Sequence, residues 1–182
     1  MRIIRTVFQD VESRFDETEH LPKMILVLDM EDQMDMCTSS VPKLALMMET
    51  ALPDIFPDDD SPLAHSCGGE GTDVEKHTFR EEIEQGTSIP HLLEHVILYL
   101  LSRRTNHCTA YCGQRAIDLE QGINTHYYLV IDYPSKVEAV VAADLGFQLV
   151  SSWVEGRAAE IDPDVVLEGV SNMISQMVKR AA

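Results

Sequence analysis

Apolar residues fall into two kinds of run along this chain. Met1 to Phe8 and Lys23 to Met30 are short and dense in Ile, Val and Leu, which predicts two β-strands. Tyr111 to Ile117 and Thr125 to Tyr133 predict two more, joined through the Glu120-Gln121-Gly122 turn. Helical runs come between and after them. Pro42 to Leu52 follows a Ser39-Ser40 start signal and stops at Pro53, and Phe79 to Gln85 predicts one or two helical turns ended by Gly86. Thr87 or Ser88 can cap the next helix, from about Ile89 to Arg104, with Pro90 in its tolerated first turn. Its apolar positions Ile89, Leu92, Leu93, Val96, Ile97, Leu100 and Leu101 cover much of the circumference, so that helix is expected to be buried. Lys136 to Trp153 carries Val137, Val140, Val141, Leu145 and Leu149 at core spacing, and Asp162-Pro163 opens a last helix through Val178.

Strands, helices, a hairpin and helices in this order predict one α+β domain over residues 1–182, a sandwich of a mixed or antiparallel sheet packed on helices. Asp10 to Pro22 is polar and acidic. Pro53 to Asp73, with three prolines, Asp58-Asp59-Asp60 and three glycines, is a loop of a length associated with function or mobility. Hydrophobic residues at 45% and charged residues at 25% allow a core without staples, which excludes disorder and miniature disulfide scaffolds. Thirty-one acidic against 14 basic residues, a net of -17, repel phosphate backbones, so no nucleic-acid partner is expected. The same field favours metal ions, cationic ligands or Arg-rich substrates, besides keeping the surface solvated. No segment reaches about 18 apolar residues, and the first ten residues lack the charged lead and apolar core of an export signal. The expectation is a cytoplasmic protein with no membrane partner. Cys37, Cys67, Cys108 and Cys112 show no Cys-x-x-Cys spacing and read as small, reduced, buried residues.

One motif carries chemistry: His91-Leu92-Leu93-Glu94-His95. Positions i and i+4 on a helix project from neighbouring points of one face, so both imidazoles can reach one metal ion. Glu94 lies on the flank of that face, where it can reach an attacking water without ligating the metal. This is the inverted zinc motif, whose glutamate serves as general base. Three titratable groups on an apolar helix are expensive unless something satisfies them. The bland alternative is a hydrogen-bonded trio in which Glu94 pairs with one histidine. Catalytic Zn2+ wants a third protein ligand and an open position. Glu138, in the first turns of the helix after the hairpin, is the first choice; Asp132 and His126 follow, with Asp118, Glu120 and Asp144 also in reach of the argument, and His65 as a loop candidate. Arg115, in Cys112-Gly113-Gln114-Arg115, can clamp a substrate carboxylate or simply pair with Asp118 or Glu120. Met30, Met34, Met36, Met47 and Met48 read as core or loop filler rather than a copper site. There is no P-loop, dinucleotide fingerprint or Gly-x-Ser-x-Gly elbow.

Leu52-Pro53, His65-Ser66-Cys67-Gly68, Phe79, Glu84-Gln85-Gly86-Thr87 and His91 to His95 together resemble the N-terminal domain of cyanophycin synthetase. The similarity runs on through Cys112 to Arg115, the strand Tyr127 to Tyr133 and the helix containing Glu138, so it covers roughly residues 44–149. It implies a small α+β domain that binds cyanophycin, a poly-aspartate with arginine on its side chains, and that in some members looks like a metallopeptidase clipping the polymer into primers. Carried over, His91 and His95 would hold zinc, Glu94 would activate water, Glu138 would be the third ligand and Arg115 a substrate contact. Pro90 stands where the family usually has glycine, and the arginine of a Gly-Lys-Thr-Arg-like segment is displaced by one residue, which in a strand changes its face. The 182 residues leave no room for the ATP-using ligase domains, so the expected role is that of this domain alone, as a peptidase on a peptide or Arg-rich polymer, as a non-enzymatic polymer- or protein-binding module, or as a metal-dependent sensor or partner subunit for a separate enzyme. A homo-oligomer is compatible with all three.

Overall fold

The computed structural model describes residues 1–9, 22–33, 35–56, 78–103, 110–115, 126–133, 135–158 and 161–181. Four strands, β1 (Arg2–Gln9), β2 (Lys23–Asp29), β3 (Ala110–Arg115) and β4 (His126–Asp132), form one sheet in the order β1-β2-β4-β3. Every pairing is antiparallel. The sheet is therefore the antiparallel one of the two expected alternatives. The predicted hairpin pairing is present, since Cys112 opposes Leu129, but the strand inserted beside β4 is β2. Residues of the Glu120-Gln121-Gly122 turn lie outside the described residues.

Alternation sets which face of the sheet meets the helices. Met24, Leu26 and Leu28 of β2 oppose Ile131, Leu129 and Tyr127 of β4, and these positions join the hydrophobic core. Helix α3 (Ile89–Ser102) packs on that face, and α1 (Leu44–Ala51), α2 (Phe79–Gln85), α4 (Lys136–Val154) and α5 (Pro163–Ala181) complete the same core around it, giving one α+β domain. Helix α3 is central, touching β3 and β4 on one side and α4 on the other. Ser88 caps it by accepting from the His91 backbone N–H at 3.4 Å, Pro90 occupies its first turn, and Arg103 closes it. Ser39 and Ser40 do not start α1: Ser40 Oγ donates back to the Cys37 carbonyl at 2.6 Å within a 3-10 turn, and α1 begins at Leu44 after Lys43, which has φ 59°.

Of the core positions expected on α4, Leu145 and Leu149 are buried and Val141 is half-buried, but the first two valines are not part of the core. Val137 and Val140 are 52% and 46% exposed, while Ala139, Ala142, Ala143, Gly146, Leu149, Val150 and Trp153 are buried. Small residues win this face because α3 comes close: a Cβ at Gly146 would sit 3.0 Å from Ile97 Cγ1 and 3.4 Å from Leu93 Cδ1. Gly146→Val is expected to push the two helices apart and cost about 1–3 kcal/mol of stability in chemical denaturation. Unchanged stability would mean that the α3–α4 contact is loose. By length and composition α4 does reach what a membrane crossing requires, contrary to the reading above. Its small and apolar side is occupied by the core, and Lys136, Glu138 and Asp144 lie along it, the make-up of a core helix.

Candidate metal centre

Three side chains from two helices converge where α2 meets α3. His91 and His95, one turn apart on α3, bring their Nε2 atoms to 3.2 Å. Glu82 comes from α2, and the donor atoms of Glu82, His91 and His95 all lie within 4.8 Å of one another, so the cluster can hold a metal ion. Two nitrogens on one tetrahedral zinc at ordinary bond lengths stand about 3.3 Å apart, close to the observed pair.

Local sequence explains the convergence. Thr78 and Glu81 form a capping box that starts α2, and Gly86 ends it with φ 114°, a value side-chain-bearing residues rarely adopt. A Cβ there would also meet Ser39 Oγ at 2.6 Å. Three residues, 86–88, then turn the chain into α3, so that Glu82 returns beside His91. A polar strut fixes the first imidazole. Thr87 Oγ1 lies 2.7 Å from His91 Nδ1, the Thr87 backbone N–H donates to Thr38 Oγ1 at 2.9 Å, and that hydroxyl donates to the Ile83 carbonyl at 2.8 Å. A partner at Nδ1 orients the ring so that Nε2 is presented to the cluster. His95 is covered by the ring of Phe79.

Glu94 is 2% exposed, at the flank of the cluster. Burial, and then the negative charge of Glu82, push its carboxyl up to about 7. Its neighbour on the sheet side is Cys112, whose thiol is pushed up by burial and then by the charge of Glu94. A buried carboxyl poised near neutrality can both accept and return a proton.

The other candidate residues lie elsewhere. Glu138 sits half-buried in the first turn of α4, its backbone N–H donating to Ser135 Oγ, and it is not a member of the Glu82–His91–His95 cluster. The carboxylate beside the histidines is supplied from upstream of the motif, because the connection from α2 to α3 is so short. Asp132 is paired with Lys23 on the sheet face away from the helices. His126 shares a rung with Asp29, 3.9 Å from its carboxylate. Asp144 accepts from Gln148 at 2.7 Å. Arg115 pairs with His126, on a rung of opposite parity to Cys112. Cys37 and Cys112 are free thiols, both half-buried rather than buried. His65, Cys67, Cys108, Asp118 and Glu120 lie outside the described residues. Glu82 is the residue the sequence reading missed. Its signal was an acidic helix, Phe79 to Gln85, ending three residues before the Ser88 cap and six before His91.

An antiparallel sheet carrying a buried helix with two converging imidazoles and a carboxylate defines an α+β domain with a candidate metal centre. The chain belongs to the cyanophycin synthase-like N-terminal domain family, whose model matches residues 25–155 of its 182. The match starts within β2, earlier than the resemblance over 44–149 suggested. Among curated proteins no match is found.

Proposed function

We propose that this domain is a zinc-dependent hydrolase of amide or peptide bonds, acting in the cytoplasm on a cyanophycin-like or otherwise Arg-rich polymer. The observation that carries the reading is the 3.2 Å Nε2–Nε2 approach of His91 and His95, with Glu82 completing the cluster and Glu94 buried beside it. Two imidazoles and a carboxylate are a donor set found in catalytic zinc sites. When bound, zinc would lower the pKa of water toward neutrality and polarise the carbonyl under attack. Glu82, His91 and His95 would hold it. Glu94 would take a proton from the attacking water and return it to the leaving amine, a shuttle suited to a carboxyl near neutrality. Thr87 would keep the His91 ring in its ligating orientation. The net charge of -17 supports a cationic substrate.

Metal analysis and peptide hydrolysis test this together. Wild-type protein is expected to retain about one zinc after dialysis, and His91→Ala/His95→Ala to retain none. Glu82→Gln should lose more affinity than the roughly 10–100-fold of an outer partner, and Glu138→Gln should lose none. If the wild type takes up no zinc, the hydrolase reading is wrong. A binding module that keeps the fold is a second reading, supported by Arg115, whose rung is of opposite parity to that of Cys112. Polymer affinity without turnover in both wild type and Glu94→Gln would favour it.

A further inference from the structure

His91 is oriented by a hydroxyl at Nδ1, whereas the neighbour over the His95 ring is an aromatic face. Phe79 and His95 stack with ring centroids 3.8 Å apart and an interplanar angle of 11°. Phe79 and Glu82 are three residues apart on α2, so one short helix delivers both the third cluster member and this ring. Behind Phe79 stands Phe56, 5.6 Å away at 44°, and the Arg80 guanidinium lies 4.5 Å over the Phe56 ring while pairing with Glu49. The stack is thus held from its outer side. A parallel stack at this distance suits a positively polarised ring better than a neutral one, because the negative face of the phenylalanine attracts the charge that an imidazole acquires on binding a cation.

We infer that Phe79 is a positioning residue of the metal centre: its ring fixes the plane of His95 and stabilises that imidazole in its metal-bound form. The inference rests on the metal-site reading above and adds a residue outside the His-x-x-Glu-His motif to it. It predicts that metal affinity depends on an aromatic face at position 79 rather than on bulk.

The test uses cobalt(II) as the probe, with the full chain. Wild type is expected to bind cobalt with a visible d–d spectrum, and Phe79→Leu to bind about 10- to 100-fold more weakly with an altered spectrum. Phe79→Tyr should restore both. Phe56→Leu, which removes the second ring and leaves the stack, should fall between Phe79→Leu and wild type. A readout without metal accompanies it: in the NMR spectrum of the metal-free wild type, the His95 ring protons should be shifted upfield by the stacked ring, and Phe79→Leu should abolish that shift. Wild-type affinity and spectrum in Phe79→Leu would overturn the inference while leaving the metal site standing. His95 ring protons at ordinary positions in the wild type would overturn it even if Phe79→Leu failed to fold. Failure of the wild type to bind any metal would overturn the metal-site reading, and the inference with it.

Discussion

Glu94→Gln is expected to lower hydrolysis by about 10²- to 10⁴-fold and, in the same protein stripped of metal, to raise stability at pH 8. Both effects have one cause. Burial and the charge of Glu82 raise the Glu94 carboxyl to about 7, so the folded chain holds this proton more tightly than the unfolded chain does. The stabilisation from the bound proton is complete below the ordinary value of 4.5 and is lost as pH rises through 7. Above that, the folded domain carries a buried carboxylate that costs about 3 kcal/mol relative to an exposed one. Glutamine has the same shape and no charge. Denaturation of metal-free wild type and Glu94→Gln should therefore give curves that nearly coincide at pH 4.5 and separate toward pH 8, with the variant the more stable. Equal stability across that range would mean that Glu94 is solvated in solution. Full hydrolytic activity in the variant would remove the general base from the proposal.

The second large effect lies on the opposite face of the sheet. Lys23 and Asp132 are cross-strand neighbours in the β2–β4 register, with Nζ and Oδ1 2.5 Å apart and side chains only 2% and 4% exposed. An ion pair buried to that extent spends most of its attraction on desolvation. Removing one partner is a different matter, because it leaves the other charge in a dry place. Lys23→Met is expected to destabilise the domain by about 3–5 kcal/mol, a fall in Tm of roughly 10 °C. The double change Lys23→Met/Asp132→Leu should recover most of that loss. Thermal melts of the single and double variants measure it directly. A single variant within about 0.5 kcal/mol of wild type would show that water reaches the pair.

These two sites also show what a single chain makes legible. Local patterning was enough for the elements: Phe79 to Gln85 is a helix ended by Gly86, and Lys23 starts a strand. Capping and hydrophobic period are short-range properties, readable from a window of neighbours. It was enough for the burial of α3 as well, because a helix apolar on most of its circumference has no solvent face to offer. The side of α4 was legible only in part. Valines at helical spacing look like core, yet alanines and Gly146 took that place, since the approach distance of two helices depends on both partners at once.

The candidate site divides the same way. His91, Glu94 and His95 share one helix, so their spacing alone places two imidazoles on one face with a carboxylate at its flank. That much the amino-acid sequence determined by itself. Which carboxylate joins them was decided by tertiary structure: the three-residue turn at 86–88 folds α2 back onto α3 and brings Glu82 to the histidines, while Glu138 remains on α4. The stacking of Phe79 on His95 and the desolvation that lifts Glu94 arise at the same junction. Distances between elements and the water excluded between them belong to the packed chain, and no window of sequence contains them.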